Sequence, residues 1–300
     1  MKHLTTCMTL AVIAALLGLA GPAAAQTITF KFNPPNGTTV VQTDAISIVK
    51  QTGTSKSTDA RESKMRIVFK KFGNTFQVTR TKLGPAGQVP PNAESLTVKL
   101  DSNGKCLEVV GIKEKRAALL SKITPESRKK GLDEKYVDQV IDAQIALQKK
   151  SWAEYAGKFV GKTAKIGETW KESASLDLMP GVAVTIRRTI TFAGMVQKGG
   201  KTCVRIRYST VADPASLKTA IAKIMAERDK IAKAQGNTAN LPRVVGMTIK
   251  EERERVVDPA TMLEYADTVT STRSEQVSVP GQGTITTSTV QKTVTTYKYE

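Results

Sequence analysis

Gly161-Lys162-Thr163 has the residues that close a phosphate-binding loop. That loop needs a glycine five residues before its second glycine, and Ala156 stands there. It also needs a preceding strand, whereas this stretch follows a helical pattern. Asp101-Ser102-Asn103-Gly104 has the opening of a calcium loop, but Lys105 holds the next ligand position and its cation would repel the ion. A hairpin turn is expected there instead, because Asn and Gly tolerate positive φ. Asp138 and Asp142 lie four apart on one helix face and could pair as carboxylates. Without histidines to complete a dimetal site, a solvated helix face is the expected use. Glu252 and Glu254 share a strand face and could act as acid and base. Pairing across the sheet with Arg205 and Arg207 is the expected use. No catalytic residue, no metal ligand and no cofactor is therefore assigned. Ser-Lys chemistry has no local signature to find, so a histidine-free hydrolase stands as the least favoured reading.

Histidine carries much of this exclusion. The only one is His3, inside a stretch that reads as an export signal. Lys2 and His3 give a positive start, Met8 to Leu19 is apolar, and Ala23-Ala24-Ala25 forms a cleavage site before Gln26. The apolar run is shorter than the roughly 20 residues a membrane span needs. Cleavage after Ala25 would leave a chain with no histidine. Such a chain cannot build a Ser-His-Asp or Cys-His nucleophile, or a His-ligated zinc or haem. Residues 1–25 are thus read as a signal peptide, and the mature chain as periplasmic or secreted and not membrane-spanning. Cys7 precedes the apolar run rather than following it, so lipid anchoring through it is not expected.

Export permits a disulfide between the two remaining cysteines, Cys106 and Cys203. Each sits early in a predicted strand after a Gly-Lys turn. That similarity does not bring their Cα atoms within bonding range, so two separately buried thiols stand as the equal alternative.

The elements that position these residues alternate in strand fashion. Met65, Ile67 and Phe69 mark one face; Leu96, Val98 and Leu100 mark another. Val182, Val184, Ile186, Ile190 and Phe192 form the clearest row, answered by Val204, Ile206 and Tyr208 after the turn at Lys198-Gly199-Gly200-Lys201. A charged strand runs from Val245 to Val257, and Asp258-Pro259-Ala260-Thr261 closes its hairpin. The run from Thr284 to Tyr299 is rich in threonine and valine. Two helical stretches interrupt the strands. One runs from Glu114 to Phe159, broken near Pro125 and Gly131. The other opens with Asp213 as cap and Pro214 at the first position, and ends at Gly236. The expectation is an α+β fold: a long curved antiparallel sheet, half-barrel-like, covered by two helical insertions. Residues 26–300 read as one elongated domain, with 26–165 and 166–300 as possible subdomains.

This pattern resembles the exported bacterial half-barrel carriers of lipids and lipoproteins, in which a long antiparallel sheet curls around apolar space under helical lids. Lys165-Ile166-Gly167-Glu168-Thr169-Trp170 is similar to the strand opening of related uncharacterised exported domains, as is the hairpin from Met247 to Arg273. The resemblance implies a non-enzymatic envelope protein that binds or shuttles a lipid, lipoprotein or glycolipid. The alternative is a structural or protein-interaction module with no ligand cavity.

Two sets of residues carry the binding expectation. Arg188 breaks the apolar row of Ile186, Ile190 and Phe192. If that row faces a cavity, its guanidinium could hold a carboxylate or phosphate. If the strand ends or bulges there, Arg188 points to solvent, and this is the preferred reading. The second set is an anionic-surface site of Lys113, Lys115, Arg116, Lys122, Arg128, Lys129 and Lys130. It lies in the more basic half of a chain whose net charge is +18, so it should attract acidic surfaces and weaken with salt. Nucleic acid is not expected: the 2 Trp, 6 Tyr and 7 Phe do not interleave with that run as stacking platforms would.

Overall fold

The computed structural model describes residues 26–300 apart from 92, 94, 130, 180 and 235–240. The signal read in residues 1–25 and the helix stop read at Gly236 lie outside the described residues. The first half holds β1 (Thr27–Thr29), β2 (Thr39–Thr52), β3 (Ser55–Phe72), β4 (Thr75–Leu83), β5 (Ser95–Leu100) and β6 (Cys106–Val110). Helices α1 (Ile112–Leu120), α2 (Pro125–Lys129) and α3 (Glu134–Trp152) follow, and a π-helical turn at Ala153–Gly157 extends α3. Then come β7 (Thr163–Lys165), β8 (Thr169–Met179), β9 (Val182–Lys198), β10 (Lys201–Ala212), α4 (Pro214–Ala234), β11 (Arg243–Val257), β12 (Glu264–Val279) and β13 (Gly283–Tyr299).

Eleven strands form one open antiparallel sheet in the order β6-β5-β4-β3-β2-β13-β12-β11-β10-β9-β8. Neighbouring strands within each wing follow one another in the chain, most through short turns, while α4 is inserted between β10 and β11. The wings join where β2 pairs with β13, from Thr52 opposite Thr287 to Val40 opposite Tyr299. A separate small pair, β1 with β7, ties the N-terminal segment to the chain after α3.

The main core lies between one face of the sheet and the chain from Trp152 to Phe159. Phe30, Phe159, Phe192, Val204 and Ile206 are all sealed from solvent there. Phe159 packs against Phe30, Trp170, Phe192 and Tyr208, and Phe32 bridges Phe76 to Trp152. A smaller core forms where Leu217 and Ala220 of α4 cover Val184, Ile186 and Ala212. The α4 start is as expected: the Ser216 N–H donates to Asp213 at 3.0 Å, ahead of Pro214. Its apolar stripe is only half used, since Ile231 is exposed. The same holds on α3. Val137 and Ile141 are buried, but Gln148 and Trp152 complete the buried face while Tyr136, Val140 and Leu147 stay out.

The β5–β6 hairpin turns at Asp101–Gly104, where the Asp101 carboxylate accepts the N–H groups of Asn103 at 2.9 Å and Lys105 at 2.8 Å. Gly104 has φ +73°, and a Cβ there would stand 2.4 Å from the Ala156 Cβ. Both the backbone and the space demand glycine. Gly104→Ala should cost about 2–4 kcal/mol, combining strain with overpacking in a sealed corner. Urea denaturation checks this; a loss under 0.5 kcal/mol would show that the corner is loose.

Cys106 and Cys203 are both buried and unbridged. Of the two equal alternatives, two separately buried thiols is the one observed, on the edge strand β6 and on β10 eight steps along the sheet order. Burial pushes the Cys203 thiol up to about 11, with Asp258 adding to the rise.

Candidate functional site

A cavity of about 560 Å³ opens between the sheet and the end of α3. One wall is apolar, formed by Val40, Met65, Ile67, Phe69 and Leu263. The rest is charged or phenolic. Strand parity puts it there: Glu251, Arg253, Arg255 and Val257 project from one face of β11, and Val257 is fully buried. By the same rule Arg80 continues the row of Phe76 and Val78 on β4.

Arg255 is the deepest of these groups, with 1% of its surface exposed. Its Nε donates to Glu264 at 2.5 Å and its Nη1 to the Tyr208 hydroxyl at 3.0 Å. The guanidinium sits 5.0 Å from the Tyr155 ring centre, a cation–π contact in a desolvated place. Burial alone would raise the Glu264 carboxyl, but Arg255 and Arg253 outweigh it and hold it below its ordinary value. Tyr297 donates to Glu264 at 2.5 Å, and burial beside that carboxylate drives the phenol far up. Arg253 grips Asp267 through two bonds of 2.9 and 2.6 Å. Burial still leaves the Asp267 carboxyl above its usual range.

Two cations keep unused donors. Arg255 Nη2 is buried with no hydrogen-bond partner among the described residues. Arg80 has neither an ion-pair nor a hydrogen-bond partner among them. Its Nε is buried, its guanidinium stacks 4.8 Å from the Trp152 ring centre, and burial pulls its pKa down. Trp152 Nε1, on a residue that lines the same cavity, is also buried and unpartnered. Spare donors beside an apolar wall can meet acceptor oxygens and apolar surface at once.

No protein-family model and no curated protein matches this chain. The reading of the site therefore rests on its own geometry.

Arg188 lines the cavity mouth. The strand neither ends nor bulges there: Arg188 sits in register opposite Thr210 and Glu172, and the irregularity falls between Arg205 and Ile206. Solvent exposure is thus corrected, since Arg188 follows the inward parity of its row. It is not free to bind, however. Its Nη1 contacts Glu154 at 2.7 Å and Glu172 at 2.9 Å, and Lys158 reaches the same two carboxylates at 2.7 and 2.6 Å. Ile190 and Phe192 are sealed in the main core and Ile186 lies in the core under α4. None of the three lines the cavity.

The surface set is scattered and apart from the cavity lining. Lys113, Lys122 and Arg128 are exposed, and Lys115 is half-buried. Arg116 is neutralised by Glu134 and by Asp138 at 2.6 Å, which holds the Asp138 carboxyl low. The Lys129 side chain and Lys130 lie outside the described residues. Glu254 pairs with Arg207 at 2.9 Å and Arg205 at 3.4 Å, while Glu252 accepts from Ser209 at 2.9 Å. Among the described residues no cluster of His, Cys, Asp and Glu could hold a metal ion. No described helix is long and apolar enough to cross a membrane.

Sequence reasoning missed Arg80, Arg253, Arg255, Glu264 and the tyrosines. The signal for two of them was present: an arginine two residues beyond Val78, and one two residues before Val257. The expected interior was oily and continuous. The observed one is filled by Phe159 and Trp152 over part of its length, and the space left open has one apolar wall facing charged and phenolic groups.

Proposed function

We propose that this is a non-enzymatic cell-envelope protein that binds or shuttles an amphiphile carrying an anionic group. Arg80 is the observation that carries this reading. Arg80 is half-buried, its Nε is sealed without a hydrogen-bond partner, and Glu264 acts on it only through space. Such a cation costs stability, and a bound carboxylate or phosphate would supply a direct partner. The apolar wall of Val40, Ile67 and Phe69 stands beside it for the non-polar part of the guest. The volume of about 560 Å³ falls in the range of roughly 300–1,000 Å³ for small-molecule sites.

We read the sheet as a half-barrel around this space. Arg80 on β4 stacks on Trp152, and Phe192 on β9 packs on Phe159 at 6.3 Å. Seven strand steps separate β4 from β9, or about 34 Å in a flat sheet. Trp152 and Phe159 are seven residues apart along a helical path, about 10 Å. Curling of the sheet supports both contacts at once. Export through the signal in residues 1–25 would put the protein in the periplasm or outside the cell, among acidic lipids and glycolipids.

Native mass spectrometry on protein taken from its own envelope without detergent tests the reading. The expected result is a stoichiometric adduct that lipid extraction removes. Bare protein that co-purifies with a second polypeptide would instead support an interaction module and overturn the carrier.

A further inference from the structure

A second cavity, of about 600 Å³, lies on the same sheet face toward the other end of the strands. Its aliphatic part is Leu176, Leu178 and Ile249; Thr287, Thr289 and Gln291 of β13 add hydroxyl and amide groups, and Lys50, Asp177 and the paired Arg273 and Glu275 also line it. The two cavities follow each other along shared strands. On β11, Arg255, Arg253 and Glu251 line the first and Ile249 lines the second. On β13, Tyr299, Tyr297 and Thr295 line the first and Gln291 opens the second, with Thr293 the one inward residue between them. Glu251 in the first cavity accepts a hydrogen bond from Ser271 in the second, at 3.3 Å.

Resting on the reading above, we propose that the two cavities form one trough for a single acidic glycolipid-like molecule. The arrangement grades along the strands. Arg80 and the spare Arg255 donor stand at one end, where an anionic group would sit. Glu251, Ser271 and Gln291 form a polar middle that can exchange hydrogen bonds with sugar hydroxyls and would repel a bare alkyl chain. Leu176, Leu178 and Ile249 end the trough with aliphatic contact for the tail, beside a row that carries Arg273 and Lys50. The length fits this order. Six residues separate Arg255 from Ile249, about 20 Å of strand. A single acyl chain spans about 15 Å, half the hydrocarbon core of a bilayer. A simple lipid phosphate anchored at Arg80 would therefore lay its chain over the polar middle. A sugar between charge and chain brings the chain to the aliphatic end.

Titration calorimetry with dodecyl glucuronide, methyl glucuronide, dodecyl phosphate and dodecyl maltoside tests the assignment on the full chain. Dodecyl glucuronide should bind at least tenfold more tightly than each of the other three. Ile249→Asp, and separately Leu176→Asp, should weaken dodecyl glucuronide about tenfold and leave methyl glucuronide unchanged; circular dichroism confirms that each variant is folded. Equal binding of dodecyl and methyl glucuronide would overturn the trough. So would dodecyl phosphate binding as tightly as dodecyl glucuronide. In either case, loss of binding in Arg80→Leu would leave the anionic-amphiphile reading standing. If Arg80→Leu binds all four probes like the parent protein, that reading falls as well.

Discussion

Arg80→Leu should weaken binding of an anionic amphiphile by about 10–100-fold and at the same time raise the melting temperature. The two effects share one cause. Arg80 lies among Ile67, Leu96 and Trp152, with Ile67 and Leu96 its register partners on either side. No acid among the described residues reaches it as an ion pair or hydrogen bond; burial lowers its pKa, outweighing the through-space pull of Tyr155, Glu264 and Tyr297. A cation desolvated without a direct partner destabilises the empty protein, and an aliphatic side chain of smaller size removes that cost. A gain of about 1 kcal/mol corresponds to about 2–4 °C in a chain of this class. Hydrogen bonds from a charged donor contribute about 1.5–3 kcal/mol, which sets the affinity loss at the stated size. Arg188→Leu is the control with the opposite sign. Arg188 already holds Glu154 and Glu172, so its removal leaves carboxylates short of a partner and lowers stability with little change in affinity. Differential scanning calorimetry and titration on both variants decide the matter. A fall in melting temperature for Arg80→Leu would mean that Arg80 is structural.

Glu264→Leu should be the most destabilising single change in the cavity wall, at about 3–5 kcal/mol. It strips the partner from Arg255, which is 1% exposed, and leaves an unpaired charge in the core. The acceptor for the Tyr297 hydroxyl goes with it. Arg255→Met combined with Glu264→Leu should recover most of the loss, because an apolar pair replaces an ion pair at similar volume. Acid should act through the same carboxyl. Its folded pKa is held below the ordinary 4.5, so its stabilising effect is full above that value. The effect drains away as pH falls through the lower folded value. Asp267 runs the other way. Its folded pKa lies above 3.8, so its charged form burdens the fold at neutral pH and protonation relieves that burden. Urea midpoints between pH 3 and 7 should show a steeper acid loss for the parent than for the double variant. Parallel curves would exclude Glu264 as the group responsible.

Strand parity made the sheet readable. Val182 to Phe192 and Met65 to Phe69 alternate so strictly that their faces and hairpins follow from the residues alone. The breaks at Pro125 and Gly131 likewise divide the first helical stretch, into α1, α2 and α3. The site was less legible. An arginine in an apolar row was recognised at Arg188 but not at Arg80, where the row of Phe76 and Val78 is only two residues long. Arg253 and Arg255 sit in a strand so dense in charge that neither face looks apolar, and only Val257 marks the inward side. Tyr297 and Tyr299 meet Glu264 because β13 lies beside β12 and β2. No local spacing encodes that neighbourhood. The two cysteines show the converse: similar turns precede both, yet strand order keeps them apart.

The seam between β2 and β13 has a kinetic consequence. It joins residues such as Thr43 and Thr296, more than 250 positions apart, and the two wings have no other strand pairing to hold them edge to edge in the large sheet. Contacts of such long range are slow to form because a large loop must close first. While the chain is still incomplete, the early meander keeps a bare edge at β2 for as long as β13 is withheld. That edge is open to mispairing with other chains until the last strand arrives.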